Sequence, residues 1–302
     1  MWWKRRDGGS NEPSAQELFE RGASLLETDL DSARRCYERA VELEPGFSGA
    51  WFDLGLTHKW RREWIDTLAC NRRAIDVQEE PEEGDPAFWN AGIAATALHD
   101  WASARWAWRG YGIPIDDGDG EIVADFGLGV VRLPSGETVW CRRIDPTRMK
   151  VLSVPLPESG FRCRDILLHD GAPEGTRVAF GREYSVMAFI EMWAATDVPT
   201  TEILVDASGS AVDDLMERLH ADGEVMAENW KQTVQMLCAA CSSGRVDYDH
   251  PDHDHGSLEE VGYTRIGCSG AEETLATIVA AWQAESGGVV QQMVVHHDRR
   301  EQ

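Results

Sequence analysis

The sequence predicts an α+β protein, with an all-helical front third followed by a larger domain rich in antiparallel sheet. Three observations predict it. Between residues 14 and 115 apolar residues recur at helical spacing, and Gly22, Gly55 and Gly92 return at intervals of 33 and 37 residues. From Gly129 onward apolar and polar residues alternate, with breaks at Pro134-Ser135-Gly136 and Asp145-Pro146. Beyond Thr200, strand-like and helix-like segments take turns as far as Val295.

Residues 14–115 divide into six helices in three pairs. The central pair reads Trp51-x-x-Leu54-Gly55-x-x-His58, then Trp64, Thr67, Asn71 and Ala74. The first closes as Ala33-x-x-x-Tyr37-x-x-Ala40-x-x-x-x-Pro45, with an inter-helix turn one residue shorter. Ala33, Thr67 and Ala104 recur at 34 and 37 residues, and small residues at such places let two helix backbones approach closely. This pattern resembles the tetratricopeptide repeat, over about a third of the chain. It departs from it in His58 where an aromatic is usual, Thr67 for Ala, and Glu79 for the closing Pro. The third unit keeps Phe88, Gly92, Trp101, Ala104 and Trp108 but has Tyr111 in place of a small residue, as a terminal unit does.

The resemblance implies a superhelix of stacked hairpins that binds a partner along a concave groove. A second apolar stripe, Phe52, Leu56 and Trp60, runs at i, i+4 and i+8 on a face of its helix other than that of Trp51, Leu54 and His58. The neighbouring units repeat it with Phe19, Ala23 and Leu26, and with Trp89, Ile93 and Ala97. The groove expected from the resemblance is therefore Phe19, Leu26, Phe52, Leu56, Lys59, Trp60, Trp89 and Ile93. So many Phe and Trp side chains are too apolar to be left in water, so a partner segment or the chain's own second half covers them.

The remaining organisation follows in order. Residues 1–13 read as a flexible tail and 116–124 as an acidic, Gly-rich linker. In 125–199, strand patterns at Gly129–Pro134, Glu137–Arg143, Met149–Pro155, Asp165–Gly171 and Tyr184–Ile190 predict a curled antiparallel sheet or small barrel. In 200–302, strands at Thr201–Val205, Val261–Ile266 and Val289–Val295 and helices at Ser210–His220 and Ala271–Ala284 resemble a ferredoxin-like split βαβ unit. Val225–Trp230 is ambiguous, and Lys231–Cys241 reads as a helix inside an insertion that carries Cys and His. That resemblance is one of fold and carries no function.

Composition narrows the function. With 29 basic and 53 acidic residues the formal charge is −24, which repels nucleic acid and anionic lipid and draws in basic proteins or cations. Seven scattered cysteines make no secreted disulfide framework, and no apolar run is long enough for a signal segment or an integral membrane helix, so the cytoplasm is the expected location.

The strongest constellation for chemistry is Cys238-Ala-Ala-Cys241 followed by His250, His253 and His255. Thiols three residues apart share one face of a helix end, and soft sulfur with imidazole suits zinc, in a structural role if four ligands close the site. Cys163 and His169 lie near each other but lack any oxyanion element, so they read as core or turn residues. Gly127-Leu-Gly129 precedes a strand and is no phosphate loop. Arg142, Arg143 and Arg148 read as ion-pair residues. No catalytic motif emerges.

The expectation is a non-enzymatic adaptor that binds another protein, of basic character, through an apolar groove and an acidic surface. An immunity or antitoxin-like neutraliser of a basic protein is one version. The alternative is a zinc-dependent enzyme with its site in the C-terminal domain.

Overall fold

Six helices in three hairpins make up the first of two compact units, Met1–Ile122 and Val123–Gln302, in a computed structural model that describes residues 12–179, 181–230 and 263–299. The helices are α1 (Ala15–Leu25), α2 (Leu30–Leu43), α3 (Ser48–Trp60), α4 (Trp64–Asp76), α5 (Pro86–Ala97) and α6 (Trp101–Gly110). This is the stacked-hairpin architecture of the tetratricopeptide repeat.

The recurring glycines explain how each hairpin closes. A Cβ on Gly22 would lie 2.7 Å from the Tyr37 ring, and one on Gly92 2.5 Å from Trp108. One on Gly55 would run into the Asn71 amide. The three intruding side chains stand at equivalent places in α2, α4 and α6, all fully buried. Ala33, Thr67 and Ala104 are fully buried as well. The second and third hairpins turn through Arg62 (φ 60°) and His99 (φ 58°) in the left-handed region. There Glu63 N–H donates to His58 C=O (3.0 Å) and Asp100 N–H to Ala95 C=O (2.9 Å), which caps the carbonyl end of each first helix. The first turn, shorter by one residue, closes directly from Asp29 N–H to Leu25 C=O at 2.7 Å.

Side-chain caps fix most of the helix starts. Ser14 and Glu17 form a reciprocal box on α1, while Asp29, Asp85 and Asp100 accept from backbone N–H groups of α2, α5 and α6. The acidic stretch after α6 is strapped to that helix. Arg105, 9% exposed, donates to Asp116 C=O (3.1 Å) and Gly120 C=O (2.7 Å), and Arg109, one turn on, donates to Ile115 C=O and Asp117.

The second unit opens with a closed barrel of β1 (Leu128–Arg132), β2 (Thr138–Arg143), β3 (Arg148–Val151), β4 (Ile166–Ala179) and β5 (Arg182–Ala194). Each strand pairs antiparallel with the next. Because the count is odd, the first and last strands run the same way, and the barrel closes through parallel pairing of Val130–Arg132 with Val186–Ala188. Val131, Val139, Cys141, Met149 and Leu167 fill the interior. β4 and β5 run well past the segments that alternation marks. Register shifts around His169 and Pro173 bend the pair into a long hairpin.

The chain then continues β6 (Thr200–Asp206), α7 (Gly209–Ala221), β7 (Met226–Asn229), β8 (Thr264–Ser269), α8 (Glu272–Ser286) and β9 (Val289–His296). Sheet order β7-β8-β6-β9 with every pair antiparallel is the ferredoxin-like arrangement. The ambiguous segment before Trp230 is its second strand, and the third is described over Thr264–Ser269, Val261 lying outside the described residues. Leu215, Leu219, Leu275, Val279 and Trp282 of the helices share one core with Ile203, Val205, Ile266 and Cys268. Barrel and sheet are joined by Trp230 Nε1 donating to Val154 C=O (2.8 Å) and by Arg299 on Asp165 (2.8 and 2.9 Å). The helix read at Lys231–Cys241 and the tail up to Asn11 lie outside the described residues. No helix among the described residues is long and apolar enough to cross a membrane.

A Gly92→Val substitution drives a branched side chain into Trp108. It should cost about 2–3 kcal/mol in chemical denaturation, the range expected of an overpacked core. Gly46→Ala, which meets nothing within 4 Å, should leave the midpoint unchanged.

Candidate functional site

Seven of the eight residues expected in the groove lie on α1, α3 and α5, and Leu26 caps the end of α1; their settings are unequal. Phe19 is half-buried, its ring 4.9 Å from Phe47 and 5.9 Å from Tyr37. Leu26 packs on the same cluster. Phe52 leans on Ala74, Ile75, Ala87 and Phe88, and Leu56 is half-buried. Trp89 stands edge-on to Trp108 and Tyr111 at 5.2 and 5.0 Å, with its indole N–H buried and unbonded. Ile93 is fully buried. Lys59 is only 9% exposed, and its ammonium donates to Asn90 Oδ1 at 2.9 Å. Trp60, at the end of the stripe, is 48% exposed.

The wall thus runs from open to closed. Of the third hairpin's share Ile93 is interior and Trp89 half-buried, and the most exposed of these side chains is Trp60 at the end of α3. Sequence spacing groups these residues along each helix; how much of them water can reach depends on neighbours that spacing does not report.

Two clefts flank the last hairpin. One, of about 770 Å³, lies along α6 between Phe88, Trp106, Arg105 and Arg109 and the acidic residues Asp117 and Asp119. Arg72 stacks over Trp106, 4.6 Å from the ring centroid, at its back. The other, of about 350 Å³, is edged by Glu80, Glu82, Glu83 and Asp85. The Glu83 side chain lies against Gly112, so the two acidic loops are neighbours.

The ligand set Cys238, Cys241, His250, His253 and His255 lies outside the described residues. Among the described residues, His58, Glu63 and Asp66 bring their side-chain ligand atoms within 4.8 Å of one another. The sequence reading passed over this group because His58 occupies a packing position of the repeat. The signal that finds it is His58-x4-Glu63-x2-Asp66 laid across a tight helix–helix turn.

The cysteines among the described residues are enclosed. Cys163 donates weakly to Val151 and Leu152 carbonyls, and burial pushes its thiol up to about 11. Burial likewise pushes Cys70 and Cys268 up to about 12. His169 is fully buried, with burial pulling its pKa down to about 4, and its Nδ1 pairs with Asp170 C=O. Arg148 and Asp145 form a fully buried ion pair (2.5 Å) with the guanidinium 4.2 Å from the Trp193 ring centroid. Arg142 pairs with Asp125, and Arg143 lies 5.9 Å over Phe126.

Glu137 stands apart. Its Oε2 is buried without a partner, and burial, with Glu228 and Glu158 nearby, raises its pKa to about 7.

No protein-family model matches the sequence, and a search of curated proteins finds no match. Solved structures similar to the N-terminal third include the second tetratricopeptide-repeat domain of Spaghetti (RPAP3) bound to an HSP90 peptide SRMEEVD. It is 17% identical, with 32% of this chain and 89% of that one covered, at a TM-score of 0.30. A CopN–Scc3 complex is 16% identical over 32% of this chain and 56% of that chain, TM-score 0.30. MamA is 19% identical over 33% and 55%, TM-score 0.28. This chain therefore spans little more than half of those last two. The assignment of the repeat rests on the hairpin geometry above.

The raised Glu137 pKa fixes the sign of a pH effect. The folded protein holds that proton up to about pH 7 while the unfolded chain loses it near 4.5, so stability falls as pH rises between the two. Glu137→Gln should remove this slope and stabilise the protein at pH 8 by about 2–3 kcal/mol relative to the parent. Denaturation at pH 5 and pH 8 measures it.

Proposed function

We propose that this chain is a non-enzymatic adaptor that holds a protein partner against the inner wall of its helical unit. The supporting observation is Trp60: a large indole 48% exposed at the end of the Phe52–Leu56–Trp60 stripe, bordered by half-buried apolar side chains. A half-exposed Trp beside a rigid helical wall is the kind of anchor on which protein interfaces concentrate their binding energy. The hairpin stack holds that anchor in place before binding, which keeps the ordering cost of association low.

Charge indicates the kind of partner. The chain carries −24, and the exposed carboxylates of Glu80, Glu82, Glu83, Asp117 and Asp119 crowd two neighbouring loops at the end of the stack. Such a surface speeds encounter with a basic protein and rejects acidic ones. Neutralising a basic protein in the cytoplasm, as an immunity or antitoxin-like factor does, is the specific version this supports.

Affinity capture with the full chain and with Trp60→Glu tests the reading. The parent should retain a basic protein that is released as salt rises from about 0.1 to about 0.5 M, where surface attraction is screened. Trp60→Glu should weaken retention at least tenfold while leaving the circular dichroism spectrum unchanged. An identical set of captured proteins from parent and variant would remove the groove from the account.

A further inference from the structure

The three helix–helix turns of the first unit act as internal controls for one another, and one of them differs in chemistry. In the first and third hairpins the residue opening the second helix is an aspartate, Asp29 or Asp100. Its carboxylate accepts the N–H of a serine three residues on, Ser32 at 3.0 Å or Ser103 at 3.1 Å. Those are ordinary helix caps. In the second hairpin the same two places hold Glu63 and Asp66, and no side chain caps α4. The Glu63 carboxylate turns away to His58 instead, 2.5 Å from Nδ1.

His58 completes the contrast. Three residues after the packing glycine, the other hairpins carry Leu25 and Ala95, both apolar. Here the position holds an imidazole whose side chain is only 12% exposed. The middle turn has therefore exchanged a capping aspartate, a serine and an apolar residue for a nitrogen ligand and two carboxylates. These three groups lie within 4.8 Å of one another. Two carboxylates this close repel, and the helix start has lost its cap, so the arrangement is unfavourable without a positive charge beside it. Arg34 Nη1 stands 3.8 Å from Glu63 and supplies part of that charge. It lies beyond hydrogen-bonding distance.

We propose that His58, Glu63 and Asp66 bind a divalent transition-metal ion, zinc being the probe of choice, and that the ion ties the end of α3 to the start of α4. Imidazole with carboxylate oxygens is a borderline donor set that suits such ions. Zinc holds nitrogen and carboxylate oxygen at about 2.0–2.2 Å in a tetrahedron, so ligand atoms on one ion lie about 3.3–3.6 Å apart. The group, spread over no more than 4.8 Å, must draw in by up to about 1.5 Å, which Asp66, exposed on the first turn of α4, allows by a change of rotamer. On binding, the imidazole trades its contact with Glu63 for the ion, with its remaining proton on the other ring nitrogen. Three protein ligands leave at least one position for water. The site is independent of the adaptor reading, and none of its ligands belongs to the Cys238–His255 segment.

Calorimetric titration with zinc of the full chain, purified without a metal column, decides it. Parent, His58→Gln and Asp66→Asn all keep the Cys238–His255 segment, so any difference between them belongs to the turn. The parent should bind one zinc more than either variant, and zinc should raise its thermal midpoint by several degrees more than theirs. Asp66→Asn alters only an exposed side chain and keeps the test valid should His58→Gln unsettle the hairpin. Equal stoichiometry and equal midpoint shifts in parent and Asp66→Asn, or no zinc bound by the parent, would overturn the proposal and leave His58–Glu63–Arg34 as an ion-pair cluster only.

Discussion

The seating of a side chain of one helix against a glycine of its partner governs the first unit. At Gly22, Gly55 and Gly92 the space a Cβ would need is taken by Tyr37, Asn71 and Trp108. Two of these intruders are large rings, so the absence of bulk on one helix is matched by excess bulk on the other. That complementarity closes each hairpin. The polar intruder, Asn71, donates its side-chain N–H to Thr67 C=O at 2.8 Å, while its Oδ1 is buried without a partner.

The second unit depends on a different device, the use of buried charge at a junction. Asp165 is fully buried yet accepts from Arg162 N–H (2.7 Å), Thr196 N–H (2.8 Å) and both terminal nitrogens of Arg299. Arg299 also reaches Gly160 and Thr196 carbonyls, and Arg162 donates to His296 and His297 carbonyls at the end of β9. A carboxylate with its acceptor sites this fully used is not a stranded charge. Removing one partner would leave the other in a dry environment. The last strand of the sheet is thereby fastened to the barrel through a residue far away in sequence.

Much of this was legible beforehand, for local reasons. Period-3.6 and period-2 patterns are properties of consecutive residues, so the six helices and most strands could be located within a few positions. Strand ends were not. β4 and β5 continue beyond the alternating segments because they pair with each other outside the barrel wall, where neither face is wholly buried and alternation fades. Nor could spacing show that closing five successive strands forces a parallel pair between β1 and β5.

The amino-acid sequence by itself determined the repeat period, the spacing of its Phe and Trp residues, the change to sheet, and the net acidity. These follow from side-chain size, charge and spacing along the chain. Only the tertiary structure decided that Ile93 and Lys59 are interior while Trp60 is exposed, and that Arg105 and Arg109 bind the acidic stretch to α6. It alone also decided that Glu63 abandons its helix to face His58. Burial and choice of hydrogen-bond partner are set by groups that meet across turns and layers, and the linear order of residues carries no measure of that distance.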